Sequence, residues 1–196
     1  MGEDLSNANE LHQLFLKHKK IRAVFSGHDH MFNKYVKDSA AYLREAQMKC
    51  LVNKNVGMVV VSDLVDDVSD IHPQNKHDVG YRLANLALSK TYRLQGIAWN
   101  CPTYKKMEIM KNRVVLYFDD EIMVDGKKAN ELFVAGDDKI FHPVDSKADG
   151  NKLIVTSKHV KAPAAVRYSF SNEGIGNLFS TKKLPVSPFR TDNWYR

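Results

Sequence analysis

The run Val56-Gly57-Met58-Val59-Val60-Val61 constrains the fold more than any other stretch of this chain. A nearly unbroken apolar segment rich in β-branched side chains suits a strand covered on both faces, as in a parallel sheet. Helical patterns flank it. Ala40 to Val52 spaces Leu43, Ala46, Met48 and Leu51 along a helix that Asn53 to Asn55 break, and Lys76 to Tyr92 aligns Val79, Leu83, Leu86 and Ala87 on one face. Strand, loop and helix make an α/β unit. The polar, acidic loop from Ser62 to Asn75 leaves the C-terminal end of the strand, where ligands bind in open α/β sheets.

Past Pro102 the period changes. Lys106 to Met110, Arg113 to Phe118, Glu131 to Ala135, Lys152 to Thr156 and Ala164 to Phe170 are short alternating segments. Asn112 punctuates the first pair, and Asp125-Gly126 and Asp149-Gly150 are hairpin-type dipeptides. The expected fold class is therefore α/β, with an antiparallel β domain following the α/β half beyond a boundary near residue 103. Upstream, Asn9 to Lys20 reads as a helix and Ile21 to Phe25 as a strand, which ends on the polar tip Ser26-Gly27-His28-Asp29-His30.

Charge selects no partner. The net charge of +6 is dispersed among acidic residues, and the densest basic run, Lys17 to Arg22, suits a helix end, so nucleic acid is not expected as a partner. No apolar run approaches the roughly 18 residues of a membrane span, and the acidic opening Met1-Gly2-Glu3-Asp4 does not read as a signal peptide. Cys50 and Cys101 lack any C-x-x-C spacing and read as buried or half-buried small side chains.

The chemistry concentrates in Ser62 to Pro73, where Asp63, Asp66, Asp67 and Asp70 precede His72. An imidazole with a pKa of about 6.5 can take a proton from a hydroxyl when a carboxylate or carbonyl holds its other nitrogen. Asp70 and Asp67 are the nearest candidates to do so. On spacing alone, a histidine on a solvated acidic loop at a helix entry is the favoured explanation of the pattern.

Several motifs in one order carry a family resemblance: Tyr42 to Gln47, Gly57 to Val60, Asp70-Ile71-His72-Pro73, Val79 to Ala84, Ala135-Gly136-Asp137, Pro163 to Tyr168, and Pro188 to Asp192. Together they resemble the C-terminal part of sialate O-acetylesterases, SGNH-type serine hydrolases, over about residues 36 to 196. The resemblance implies a partial three-layer α/β sheet followed by a β domain, an O-acetylated carbohydrate as substrate, no cofactor, and His72 as the catalytic base. It also implies that intact members are often exported. In many SGNH hydrolases the acid stands three residues before the histidine; here that position is Ser69, which leaves Asp70 or Asp67. No Gly-Asp-Ser, Gly-Gln-Ser or G-x-S-x-G segment occurs in the 196 residues, so the chain alone is expected to have little or no esterase activity.

The segment Leu11 to Lys34 resembles something else, the last G-H-x-H block of calcineurin-like metallophosphoesterases. That likeness implies His28 and His30 as ligands of a divalent metal pair, although the family's other ligand blocks do not precede it. The expected organisation is thus 1–35 as a metallophosphoesterase-like segment, 36–103 as the C-terminal part of an SGNH-like domain, and 104–196 as a β-rich domain. Three readings stay open: an acetylesterase portion, a phosphoesterase remnant, and a non-catalytic carbohydrate-binding β module using aromatics such as Trp99, Tyr104 and Trp194.

Overall fold

The computed structural model describes residues 39–194, apart from 69, 71 and 73. The segment Leu11 to Lys34, with His28 and His30, lies outside the described residues. Two helices come first, α1 (Ser39–Lys49) and α2 (Lys76–Lys90), and ten strands follow. These are β1 (Tyr104–Met110), β2 (Arg113–Phe118), β3 (Ile122–Val124), β4 (Leu132–Ala135), β5 (His142–Pro143), β6 (Asp145–Asp149), β7 (Lys152–Thr156), β8 (Ala165–Tyr168), β9 (Leu178–Ser180) and β10 (Phe189–Arg190).

The strands form two four-stranded sheets, ordered β1-β2-β7-β6 and β10-β8-β4-β5, and a small β3-β9 pair. Every pairing among them is antiparallel. Period-two alternation explains why these segments pair: in β7, Leu153 and Val155 are buried while Lys152 and Thr156 face out. Leu116 and Phe118 from β2 meet Val134 from β4 and Val166 and Tyr168 from β8 in one core, which Ile122 and Leu178 extend to the β3-β9 pair. Burial pushes the Tyr168 phenol up to about 12, and its oxygen accepts a hydrogen bond from the Leu178 N–H at 2.8 Å.

Met110 pairs with Arg113 around a turn at Lys111-Asn112, in which Lys111 carries the left-handed backbone at φ 59°. Turn chemistry departs from the expectation in one place. Asp125-Gly126 closes no hairpin, because β3 before it pairs with the distant β9. Asn177 holds that loop instead, donating to the carbonyls of Asp125 at 2.7 Å and Lys128 at 3.0 Å. Asp149-Gly150 does mark a hairpin: Asp149 pairs with Lys152, and Gly150 at φ 58° takes the turn.

In the helical half the apolar run behaves differently from its pattern. Residues 56–61 pair with no strand among the described residues, because no parallel neighbour is present among them to complete their hydrogen bonds. They pack on α2 instead. A Cβ at Gly57 would stand 2.7 Å from Leu86 Cδ2, so glycine is what permits the approach. Val60 joins Cys101 and Leu184 in a small second core. Cys101 is buried as expected, whereas Cys50 is exposed.

α1 docks with the face opposite to the one its periodicity suggests. Ala41 is buried and Leu43 exposed. The contacts to the β half come from Glu45, which receives Arg190 at 2.7 and 3.0 Å, and from Arg44, whose Nη2 donates to the carbonyls of Ser169 and Ser171. Tyr42 adds an edge-on contact to Phe170 at 5.3 Å. α2 buries Arg82 and Asn85 and exposes Leu83, while Val79 and Leu86 of its apolar stripe are half-buried, Leu86 against Gly57.

Candidate active site

The acidic loop is fixed at both ends. At its start a single 3-10 turn, Ser62–Leu64, presents Asp63 to α2. Arg82 Nη1 and Nη2 donate to the two Asp63 carboxylate oxygens, each at 2.6 Å, and Nη1 also donates to the Val60 carbonyl at 2.6 Å. Both side chains are nearly buried, at 10% and 13% exposure, so the fork-to-fork pair acts in a low local dielectric. The hydrogen bonds that Arg82 donates to Asp63 hold its guanidinium above its ordinary value. At the far end Asn75 caps α2: its side-chain oxygen accepts from the Asp78 N–H at 3.1 Å, and its amide donates to the Asp78 carboxylate at 2.9 Å. The bonds from Asn75 and His77 pull the Asp78 carboxyl below its usual range.

Between these anchors stands His72, with 62% of its side chain exposed. Its backbone N–H donates to Asp70 Oδ1 at 2.8 Å, and its Nδ1 lies 3.8 Å from the same oxygen. Asp70 therefore fixes the main chain at His72 by a hydrogen bond and touches the ring only through space, since 3.8 Å exceeds hydrogen-bond reach. Asp67 acts through its carbonyl, which accepts from the Asp70 N–H at 3.1 Å. The arrangement presents an accessible imidazole on a loop braced by a buried ion pair and a helix cap, with the Asp70 carboxylate beside Nδ1. Such an imidazole can accept a proton on Nε2 while Asp70 stabilises the cation that forms.

Arg82 is the supporting residue that spacing reasoning passed over, although it shares a helical stripe with Val79 and Leu86 and a signal was present. A lone arginine on an apolar stripe calls for a buried acceptor. Asp63 is that acceptor, which removes one of the four loop carboxylates from candidacy beside His72. Among the described residues no group of three or more His, Cys, Asp or Glu side chains is placed to hold a metal ion. No helix among them is long and apolar enough to cross a membrane.

The aromatics singled out for sugar stacking go separate ways. Tyr104 stacks on Phe189 at 4.9 Å as part of the core, Trp99 lies under the Lys90 ammonium at 4.3 Å, and Trp194 sits 6.0 Å from Phe141.

No family model matches the chain, and no curated protein does. Among solved structures it is similar to a carbohydrate acetylesterase from Xanthomonas citri, at 40% identity and a TM-score of 0.74. The match covers 80% of this chain and 37% of that one. The likeness is thus one of sequence as well as fold, and the chain spans little more than a third of that neighbour's length.

Proposed function

We propose that this chain is the C-terminal portion of a carbohydrate O-acetylesterase of the SGNH serine-hydrolase type, acting on O-acetylated sugars of the sialate kind. The observation that carries the reading is the 40% identity to a carbohydrate acetylesterase over 80% of the chain. In this reading residues 56–61 are a strand of a three-layer α/β sheet whose neighbouring strands belong to a longer polypeptide. The outward apolar side chains Leu43, Val52, Tyr81, Leu83 and Leu94 support it, because a layer of that sheet would bury them.

His72 is the base and Asp70 its orienting carboxylate. The imidazole takes the proton of a serine hydroxyl supplied from outside these 196 residues, the serine oxygen attacks the acetyl carbon, and the sugar oxygen leaves with that proton. His72 then removes a proton from water, the hydroxide attacks the acetyl-enzyme, and acetate departs as the serine regains its proton.

The test compares acetate release from O-acetylated sialic acid and from O-acetylated xylan, for this chain and for a longer polypeptide carrying a Gly-Asp-Ser or Gly-Gln-Ser segment. This chain should release nothing above background. The longer form should favour the sialic acid ester and lose about 10³-fold or more in rate on His72→Ala. Full activity in His72→Ala, or enzyme-like turnover by this chain alone, would sink the proposal.

A further inference from the structure

A hollow of about 210 Å³ in the β half is separate from the His72 loop, lined by Glu131, Phe133, Phe141, Arg167, Phe170 and Ser171. Arg167 is among the lining residues, and its side chain is only 8% exposed. Nε and Nη2 of Arg167 donate to the two Asp192 carboxylate oxygens at 2.9 and 2.8 Å. Nη1 has no hydrogen-bond partner among the described residues, yet it is not sealed from solvent. A guanidinium that spends one edge on an ion pair and leaves its remaining donor to solvent at a cavity it lines can exchange that water for a ligand hydroxyl.

The surrounding chemistry says what would meet it. Phe141 and Phe170 hold the guanidinium plane at 4.4 and 5.3 Å, fixing its direction. Three phenyl rings make the lining largely apolar, while Glu131 and the Ser171 hydroxyl add an acceptor and a polar group at short range. Apolar ring faces with a few convergent polar groups are what a pyranose needs, with its C–H face on an aromatic and its hydroxyls on fixed donors and acceptors. Charge narrows the class. Asp192 already balances Arg167, and the other ionised lining group is the Glu131 carboxylate, so a sugar carrying its own carboxylate is disfavoured.

We infer that this hollow binds one neutral pyranose unit of a carbohydrate, with Arg167 Nη1 and Glu131 on its hydroxyls and the half-buried Phe133 and Phe141 against its C–H groups. The inference does not depend on the catalytic reading: sugar binding without acetate release keeps this one and removes the other.

The experiment titrates the 196-residue chain with the methyl glycosides of glucose, galactose, mannose and xylose and with free sialic acid, read by saturation-transfer NMR and by amide shifts. At least one neutral glycoside should bind with a millimolar dissociation constant and shift the amides around Glu131, Phe141 and Arg167, and sialic acid should bind more weakly. Phe141→Ala should weaken binding about tenfold, and Glu131→Gln, which leaves the core untouched, several-fold with an unchanged melting temperature. His72→Ala should leave it unaltered. Absence of binding by every neutral glycoside, or binding that Glu131→Gln and Phe141→Ala leave unchanged, would overturn the inference.

Discussion

The β half and the helical half of this molecule solve the same burial problem in opposite ways. From Tyr104 onward, apolar side chains turn inward from both sheets into one core, with Leu116, Leu153 and Leu178 fully buried. Between Ser39 and Trp99 the tertiary contacts are largely polar: Arg82 with Asp63, Glu45 with Arg190, and Asn85 with the Ala98 carbonyl at 3.2 Å. Four leucines there, Leu43, Leu51, Leu83 and Leu94, face outward, while Leu64, Leu86 and Leu88 are half-buried. A helix that docks by its charges and exposes its leucines has two faces to satisfy. The difference teaches that one half closes on itself, whereas the other has its polar face matched and its apolar face open.

Substitutions break that contrast in order of size. Leu116→Ala should cost about 3–4 kcal/mol, because a fully buried leucine leaves a cavity between tightly packed sheets, and a lowered denaturation midpoint would record it. Arg82→Ala should cost about 2–3 kcal/mol by leaving Asp63 nearly buried without its partner. Its loss should appear in hydrogen exchange as faster exchange over residues 60–78, with β2 and β7 protected as before.

The Glu45–Arg190 pair is smaller and depends on pH. Hydrogen bonds from Arg190 hold the Glu45 carboxyl below its ordinary 4.5, so the folded state favours the ionised form. The stabilisation is complete above 4.5 and fades as pH falls through the lowered folded value. Glu45→Gln should therefore lower stability by about 0.5–1 kcal/mol at neutral pH, and the gap from the parent chain should close in acid. Thermal melts at several pH values check both statements. Least of all, Leu43→Ser and Leu83→Ser should each change stability by less than about 0.5 kcal/mol while reducing self-association in light scattering. If either costs as much as a core leucine, the open-face description fails.

The central strands β2 and β7, the Gly150 turn and the span of both helices could be read in advance, because each rests on local spacing or on a residue suited to its backbone. Strands such as β6, with the sequence Asp-Ser-Lys-Ala-Asp, could not. A polar edge strand is ordered by its neighbour's hydrogen bonds and carries no hydrophobic period of its own. The loop's acidic content and His72 were visible, and so was Asp70 as a nearby carboxylate.

What the sequence alone determined is the set of local tendencies: two helices, alternating strands, a histidine after a run of carboxylates, and the resemblance those motifs carry. Tertiary structure decided the rest. It assigned Asp63 to Arg82 and left Asp70 beside His72, it docked α1 through Arg44 and Glu45, and it left residues 56–61 without a strand beside them among the described residues. The reason is that periodicity reports which side chains share a face, while the neighbour that face meets depends on contacts between residues as distant as Glu45 and Arg190.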